Sequence, residues 1–517
     1  LQVAADYGHE GQEQSFVSRH VGAALSQKKT LSELGLTARG GREAVVTGLV
    51  VDSREVTEGV LFAALPGTNV HGARFIPNAL AAGANVILTD SEGAEAAAEA
   101  IAEYDPAMVV VSDPRQTLAF TAALWFGAQP ANMIAVTGTN GKTSVASFAR
   151  RIWQELGLQA INLGTTGVEG DWHAPLHHTT PEPITLHRAL ASAAQAGITH
   201  AAMEASSHGL EQRRLDGVTL KAAGFTNFTQ DHLDYHATFE DYFAAKAGLF
   251  ARVLPEDAAA VINIDDPRGV DMAAIAQARG QALYTVGRAE GADICLMGQR
   301  FNSTGQDIRV RMDGTVRQMH LNLIGGFQGE NVLLAAGLVI ACGADADEVF
   351  NVLPRLETVR GRMQLAATRD NGASVFVDYA HTPDAVETAI TALRPHVMGR
   401  LVAIIGAGGD RDPGKRPLMG AAAAEHADLV IVTDDNPRSE DPATIRAAVM
   451  EGAPDAIEIG DRAEAILRGI DALEAGDVLL ICGKGHETGQ TIGDTVYPFD
   501  DAEQASVAVA ALDGKLA

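Results

Sequence analysis

A chain of 517 residues is too long for one hydrophobic core, and 46 % hydrophobic with 20 % charged residues describes an ordered globular protein of about three domains. The 66 acidic residues outnumber 39 basic ones, and the resulting formal charge of −27 excludes a protein that coats nucleic acid or an anionic membrane.

Residues 1–28 are polar and without periodicity, which predicts a disordered extension. No run reaches the roughly 18 apolar residues of a membrane span, and the N-terminus lacks a hydrophobic signal core. Cys295, Cys342 and Cys482 are far apart and set in apolar runs, so they read as reduced core thiols. Together these features predict a cytoplasmic enzyme.

From residue 29 to 130, short strands at Leu49–Val51, Leu61–Ala64, Val86–Thr89 and Met108–Val111 alternate with Ala-rich helical stretches, as in a small α/β domain. The central block, 131–358, opens on NMIAVTGTNGKTS. The apolar strand Met133–Val136 runs into a Gly-rich turn ending in Gly141-Lys142-Thr143. Val145, Phe148, Ile152 and Leu156 then recur at helical spacing, with Gly157 placed to stop the helix. Backbone N–H groups at such a helix start attract phosphate, Lys142 reaches the β/γ-phosphates and Thr143 can ligate Mg²⁺. The first glycine of the usual P-loop is replaced by Val136, so the loop is a shortened variant. A plain strand–helix turn that uses Gly138 and Gly141 for positive φ is the alternative.

Further strands are expected at His200–Met203, Ala222–Asn227 and Ala259–Ile264. Glu204 ends the first of them, and Asp231, His232, Asp234 and His236 crowd together in TQDHLDYH. A strand-end glutamate is ordinarily solvated, but beside a P-loop its oxygens and an imidazole suit a metal bridging phosphates. The third block, 359–517, alternates helices with strands at Ser374–Val377, Leu401–Ile405, Leu429–Val432 and Val478–Ile481, the pattern of a Rossmann-like doubly wound sheet. DYAHTPD, GAGGDRD, TDDNPR and CGKGHE follow these strands in turn, so four polar motifs are expected on one sheet edge.

TGTNGKTS, MEASSHGL, NFTQDHLDYH with the following Lys246, GENVLLA, RGRMQ, DYAHTPDA, GGDRDPGKRPLMG, DDNPRSEDP and GKGHETGQ, in this order, resemble the Mur ligases. That family carries the shortened P-loop. The resemblance implies an N-terminal UDP-sugar domain, a central ATPase and a C-terminal amino-acid domain. It implies that Gly138, Thr139, Asn140, Gly141, Lys142, Thr143 and Ser144 hold ATP phosphates, that Asn331, Arg362 and Asp378 hold the rest of the nucleotide, and that Thr143, Glu204 and His232 serve Mg²⁺. Lys246 falls on the family's carbamylated lysine, a ligand to a second Mg²⁺. Lys142, Glu204, His232 and Lys246 thus form the expected catalytic set.

For the UDP substrate the matching positions are Val51, Ser53, Thr68, Asn69, Val70, His178, Thr179, Thr180, Ser206, Gln212 and Arg214. The amino-acid pocket matches Arg411, Asp435, Asn436, Pro437, Arg438, Gly483 and Glu487. In it Arg438 would fork onto the distal carboxylate of meso-diaminopimelate, as lysine cannot, and Gly483 and Glu487 would take the distal ammonium. Lysine-adding relatives lack the arginine of DNPR. The implied reaction joins meso-diaminopimelate to the D-Glu γ-carboxylate of UDP-N-acetylmuramoyl-L-Ala-D-Glu with ATP and Mg²⁺, on a monomer without nucleic-acid or membrane partners. L-Lysine as the amine, or a folylpolyglutamate-synthetase-like ligase, is the alternative, followed by a P-loop switch ATPase and a catalytically dead sensor.

Overall fold

The computed structural model describes residues 27–67, 70–176, 178–229, 235–302 and 305–515. They fall into two compact units, one running to Ala128 and including Glu182–Arg188, the other formed by Gln129–Pro181 and Ala189–Ala517.

The first unit carries a parallel sheet of Leu49–Val50, Leu61–Ala63, Val86–Thr89 and Ala107–Val110 in sequential order. These strands are apolar on both faces, as sheets covered by helices on both sides must be: Leu61, Val86, Leu88 and Val109 pack to one side, Phe62, Ile87 and Met108 to the other. The helix Pro114–Phe126 starts on Asp113, whose side chain accepts from Gln116 N–H, and has proline in its first turn. Of the extension expected over 1–28, residues 1–26 lie outside the described part, and the Gln27 side chain donates to the Trp125 carbonyl at 2.7 Å.

The second unit contains two large sheets. In the ten-stranded one, Asn132–Thr137 lies between Leu220–Phe225 and His200–Glu204; Ala160–Gly164 follows on one side, Ala259–Asn263 and Ala282–Gly287 on the other. All these neighbours pair in parallel. Beyond them Ile294–Asn302, Gly305–Met312 and Thr315–Leu321 form an antiparallel extension that the sequence reading did not anticipate. The helix Lys142–Glu155 turns Val145, Phe148 and Ile152 into the core, as their spacing predicted. Burying each contributes about 1.5–3 kcal/mol, which fastens the helix, and therefore its N-terminus, to the sheet. Gly157, at φ 80°, ends it.

The six-stranded sheet runs in the order Gln364–Thr368, Ser374–Asp378, Val478–Cys482, Leu401–Ile405, Leu429–Val432, Ile457–Glu458. Only the first pairing is antiparallel. Parallel strands put all their carboxyl ends on one edge, and the four polar motifs leave from that edge as expected. Cys295 and Cys482 are buried, Cys342 is half-buried, and none is in a disulfide. Among the described residues no helix is long and apolar enough to cross a membrane.

Candidate active site

Register places the first cluster of functional groups. Glu204 pairs with Val136 on one side of the central strand and Phe225 with Thr137 on the other, so three strands end level with the turn. Gly138 (φ 144°) and Gly141 (φ 86°) take conformations that L side chains avoid. A Cβ on Gly138 would also stand 1.8 Å from Thr226 Oγ1, and one on Gly141 2.6 Å from Asn331 Oδ1. Both glycines therefore meet the conformational requirement of a plain turn, and they also let the loop lie flat between two walls.

Lys142 begins the helix and folds its Nζ back to donate to the carbonyls of Gly138 (2.9 Å) and Thr139 (2.8 Å). Thr143 Oγ1 donates to Glu204 Oε1 at 3.0 Å, and Thr165 N–H donates to the same oxygen at 3.0 Å. Glu204 is only 2 % exposed, so it is not the solvated strand-end glutamate of the alternative reading.

Lys246 lies on the helix Phe239–Gly248, which Thr238 caps through Asp241 N–H. It is 1 % exposed, with Nζ donating to the Gly138 carbonyl at 2.8 Å and 4.5 Å from the Tyr242 ring centre. Two lysine amines thus converge on one carbonyl oxygen.

From the six-stranded sheet, Arg362 Nη2 donates to Thr143 Oγ1 at 3.2 Å. Asp378 ends its strand and accepts from Met363 N–H (2.6 Å) and Ala380 N–H (2.9 Å). Burial pushes the Asp378 carboxyl above the usual range, and the Arg362 guanidinium pulls it back. Asp384 Oδ2 accepts from Asn140 Nδ2 (3.2 Å) and Thr229 Oγ1 (3.0 Å), a contact the sequence did not suggest. A cavity of about 390 Å³ is lined by Thr139 to Ser144, Glu204, Lys246, Asn331, Arg362 and Asp378, and by Thr179 and Ser206 of the set expected for the UDP substrate.

The amino-acid motifs gather nearby. Arg438 is held at φ 51° by backbone bonds, its N–H to Thr491 and its carbonyl from Gly493, and its Nη1 donates to the Gly409 carbonyl at 2.7 Å. A left-handed non-glycine residue of this size marks a constrained position. Asn436 Nδ2 donates to Glu487 Oε2 at 2.8 Å, while Asn436 Oδ1 accepts from Thr491 N–H at 2.9 Å. Lys484, fully buried, donates to Asn436 Oδ1 (3.0 Å) and Glu487 Oε2 (3.2 Å). It stood in GKGHE unassigned, although a lysine three residues before a glutamate in a tight loop was the signal. Asp435 is buried too, and Arg411 Nη1 donates to the Asp410 carbonyl at 3.0 Å.

Tyr379 and His486 join the two clusters. The Tyr379 ring lies under the Arg362 guanidinium at 4.6 Å and against the His486 ring at 5.0 Å. Burial, reinforced by Arg362 and Arg360, pushes the His486 imidazole down to about 4, so it stacks as a neutral ring.

Three family models match consecutive parts of the chain: the Mur ligase family catalytic domain over 45–125, the Mur ligase middle domain over 136–339, and the Mur ligase glutamate ligase domain over 361–485. The chain belongs to the Mur ligase family. Its relatives include a UDP-N-acetylmuramoyl-L-alanyl-D-glutamate--2,6-diaminopimelate ligase of Caulobacter vibrioides, 48 % identical over 91 % of this chain and 97 % of that protein. A solved structure bearing the same ligase name superposes with a TM-score of 0.68 at 34 % identity, covering 94 % of this chain and 99 % of that one. Mycobacterium tuberculosis folylpolyglutamate synthase complexed with ADP shares the fold, with a TM-score of 0.59 at 20 % identity over 72 % of this chain and 92 % of that one.

Within this Mur ligase, the positions expected for the UDP substrate divide between the units. Val51, Ser53 and the exposed Val70 belong to the first; Thr68 and Asn69 lie outside the described residues. In the second, Arg214 Nη1 donates to the Thr180 carbonyl (2.5 Å) and its Nη2 to Gln212 Oε1 (2.8 Å). Thr180 Oγ1 accepts from Ser206 Oγ at 3.0 Å, and Thr179 Oγ1 lies 3.0 Å from Thr165 Oγ1. His178 is described and exposed, with no part in this network, whereas Asp231, His232 and Asp234 lie outside the described residues.

Proposed function

We propose that this Mur ligase joins meso-diaminopimelate to the D-Glu γ-carboxylate of UDP-N-acetylmuramoyl-L-Ala-D-Glu, consuming ATP by way of an acyl phosphate. The observation that carries this reading is the shared cavity, which brings the glycine turn and helix start at Lys142, buried Glu204 and Lys246 together with Arg362 and Asp378. A carboxylate is a poor acyl donor because oxide is a poor leaving group. Transfer of the γ-phosphoryl group to it releases ADP and creates a good one; the amine then attacks the acyl carbon, loses a proton, and phosphate leaves. Arg362 and Lys142 neutralise the charge that moves, and the P-loop N–H groups orient it. Arg438 would receive the distal carboxylate, and Gly483 with Glu487 the distal ammonium, Asn436 orienting the Glu487 carboxylate.

The cavity is lined by residues of one chain, so a monomer suffices for the proposed reaction, and the use of ATP supports a cytoplasmic site. Residues 126–135 and 340–360, left between the family-model matches, support domain boundaries near 130 and 358.

Among the described residues no three His, Cys, Asp or Glu side chains gather as a metal site. Mg²⁺ on a nucleotide needs less, since it keeps its waters and takes one or two protein oxygens beside phosphate oxygens. The Thr143–Glu204 pair fits that demand. Thr143, Glu204 and His232 would hold one ion and carbamylated Lys246 a second; bound Mg²⁺ supplies neutralisation of phosphate charge. The crowding of two amines on the Gly138 carbonyl supports carbamylation, which replaces one of the two positive charges with a negative group.

The deciding experiment is phosphate release with the UDP dipeptide and ATP, comparing meso-diaminopimelate with L-lysine. Release should require meso-diaminopimelate and L-lysine should give less than about a tenth of the rate, one missing bidentate contact being worth at least 1.4 kcal/mol. Equal rates would refute the substrate assignment. Lys246→Ala should lose most activity and regain part of it with a short free carboxylate in the buffer. An intact fold without rescue would count against the carbamate.

A further inference from the structure

Arg462 and Asp501 form an ion pair whose two side chains are both completely buried. Arg462 Nε donates to Asp501 Oδ1 and Nη2 to Oδ2, each at 2.7 Å. Each residue opens a helix, Arg462–Asp471 and Asp501–Leu512, after an aspartate cap. The helices pack through Ala465, Ile466, Ile470, Ala505 and Val509. A buried ion pair is by itself weak support for stability, because desolvating both charges offsets their attraction. This pair is distinguished by where its remaining donors go.

Arg462 Nη2 also donates to the Cys482 carbonyl at 2.8 Å, and Nη1 to the Asp434 carbonyl at 3.3 Å. Cys482 is the last residue before Gly483-Lys484, and Asp434 the last before Asp435-Asn436-Pro437-Arg438. The strands Leu429–Val432 and Val478–Cys482 are not neighbours, for Leu401–Ile405 runs between them. No strand ladder therefore fixes the bases of the two loops relative to each other; farther out, the Arg438 backbone is bonded to Thr491 and Gly493 beyond the second loop. The guanidinium ties the loops at their bases, and Asn436 ties them to Lys484 and Glu487 beyond.

We infer that Arg462, clamped by Asp501, is a positioning residue for the amino-acid pocket: it sets the separation of the loops bearing Arg438 and Glu487 and so selects the length of the diamino acid accepted. The inference rests on the pocket assignment made above. A planar fork held by a bidentate partner aims its remaining N–H groups rigidly, whereas an ammonium on a flexible stem does not. Loosening one charged hydrogen-bonding contact made by these loops is enough to cost about ten- to a hundredfold in binding.

Steady-state phosphate release on full-length Arg462→Lys tests this. The expected result is a KM for meso-diaminopimelate raised about ten- to a hundredfold. The KM values for ATP and the UDP dipeptide should stay within about twofold, and kcat at saturating amino acid should be largely kept. An unchanged KM for the amino acid, or a common rise in all three, overturns the inference. Arg462→Met with Asp501→Leu removes the charges together and is expected to melt near the wild-type temperature, yet still show the raised KM. A normal KM in that variant overturns it equally, and if the pair does not fold, Arg462→Lys decides alone. Wild-type release that requires meso-diaminopimelate keeps the pocket assignment, whatever these variants do.

Discussion

Lys142→Ala is expected to lower substrate-dependent phosphate release by about 10³-fold, the upper end of what loss of one preorganised electrostatic partner costs. Its Nζ already sits within the glycine turn, on the carbonyls of Gly138 and Thr139, so little reorganisation would be needed to meet a γ-phosphoryl group bound as proposed. The core face of its helix is independent of the side chain, and the melting temperature should change little. Lys142→Arg should recover little, because a planar fork does not reproduce a compact ammonium between two carbonyls. Single-turnover phosphoryl transfer with a melting curve on the same sample checks this; a loss below tenfold would remove Lys142 from the chemical step.

Arg438→Ala should lower kcat/KM for meso-diaminopimelate roughly 100-fold, the order expected when one partner of a desolvated charge pair is truncated, while the Kd for ATP stays within about twofold. Backbone conformation complicates this site, since alanine at φ 51° is strained. Arg438→Gly removes the strain and the guanidinium together and should lose the same activity. Activity restored by glycine would assign the effect to the backbone, and parallel loss of ATP binding to folding. Initial rates over an amino-acid concentration series, with nucleotide titration, separate the three.

The parts of this molecule legible in its sequence are those written in local patterns. Apolar runs ending in polar motifs located the strands near the site within a residue or two, and because parallel strands share one edge, the motifs after Val136, Met203, Val377 and Ile481 pointed to neighbouring places. The strands of 294–321 were not legible: half-exposed antiparallel pairs mix polar and apolar residues, and only their partners define them. The Arg462–Asp501 pair joins residues 39 apart, the first of each opening a different helix, and no spacing rule marks such a contact. Lys484 was visible as a residue but not as a buried one, since a charged side chain is buried only by its partners.

Across the cavity at the glycine turn, the ten-stranded and six-stranded sheets are joined by Asn140 and Thr229 on Asp384 and by Arg362 on Thr143. Each of these bonds unites one charged group with a neutral dipole, so its attraction fades within a few ångströms rather than over a screening length. These direct bonds therefore reward correct fit of donor to acceptor. Ionic strength, which tunes association in proteins steered by opposite charges, has little purchase on bonds of this kind.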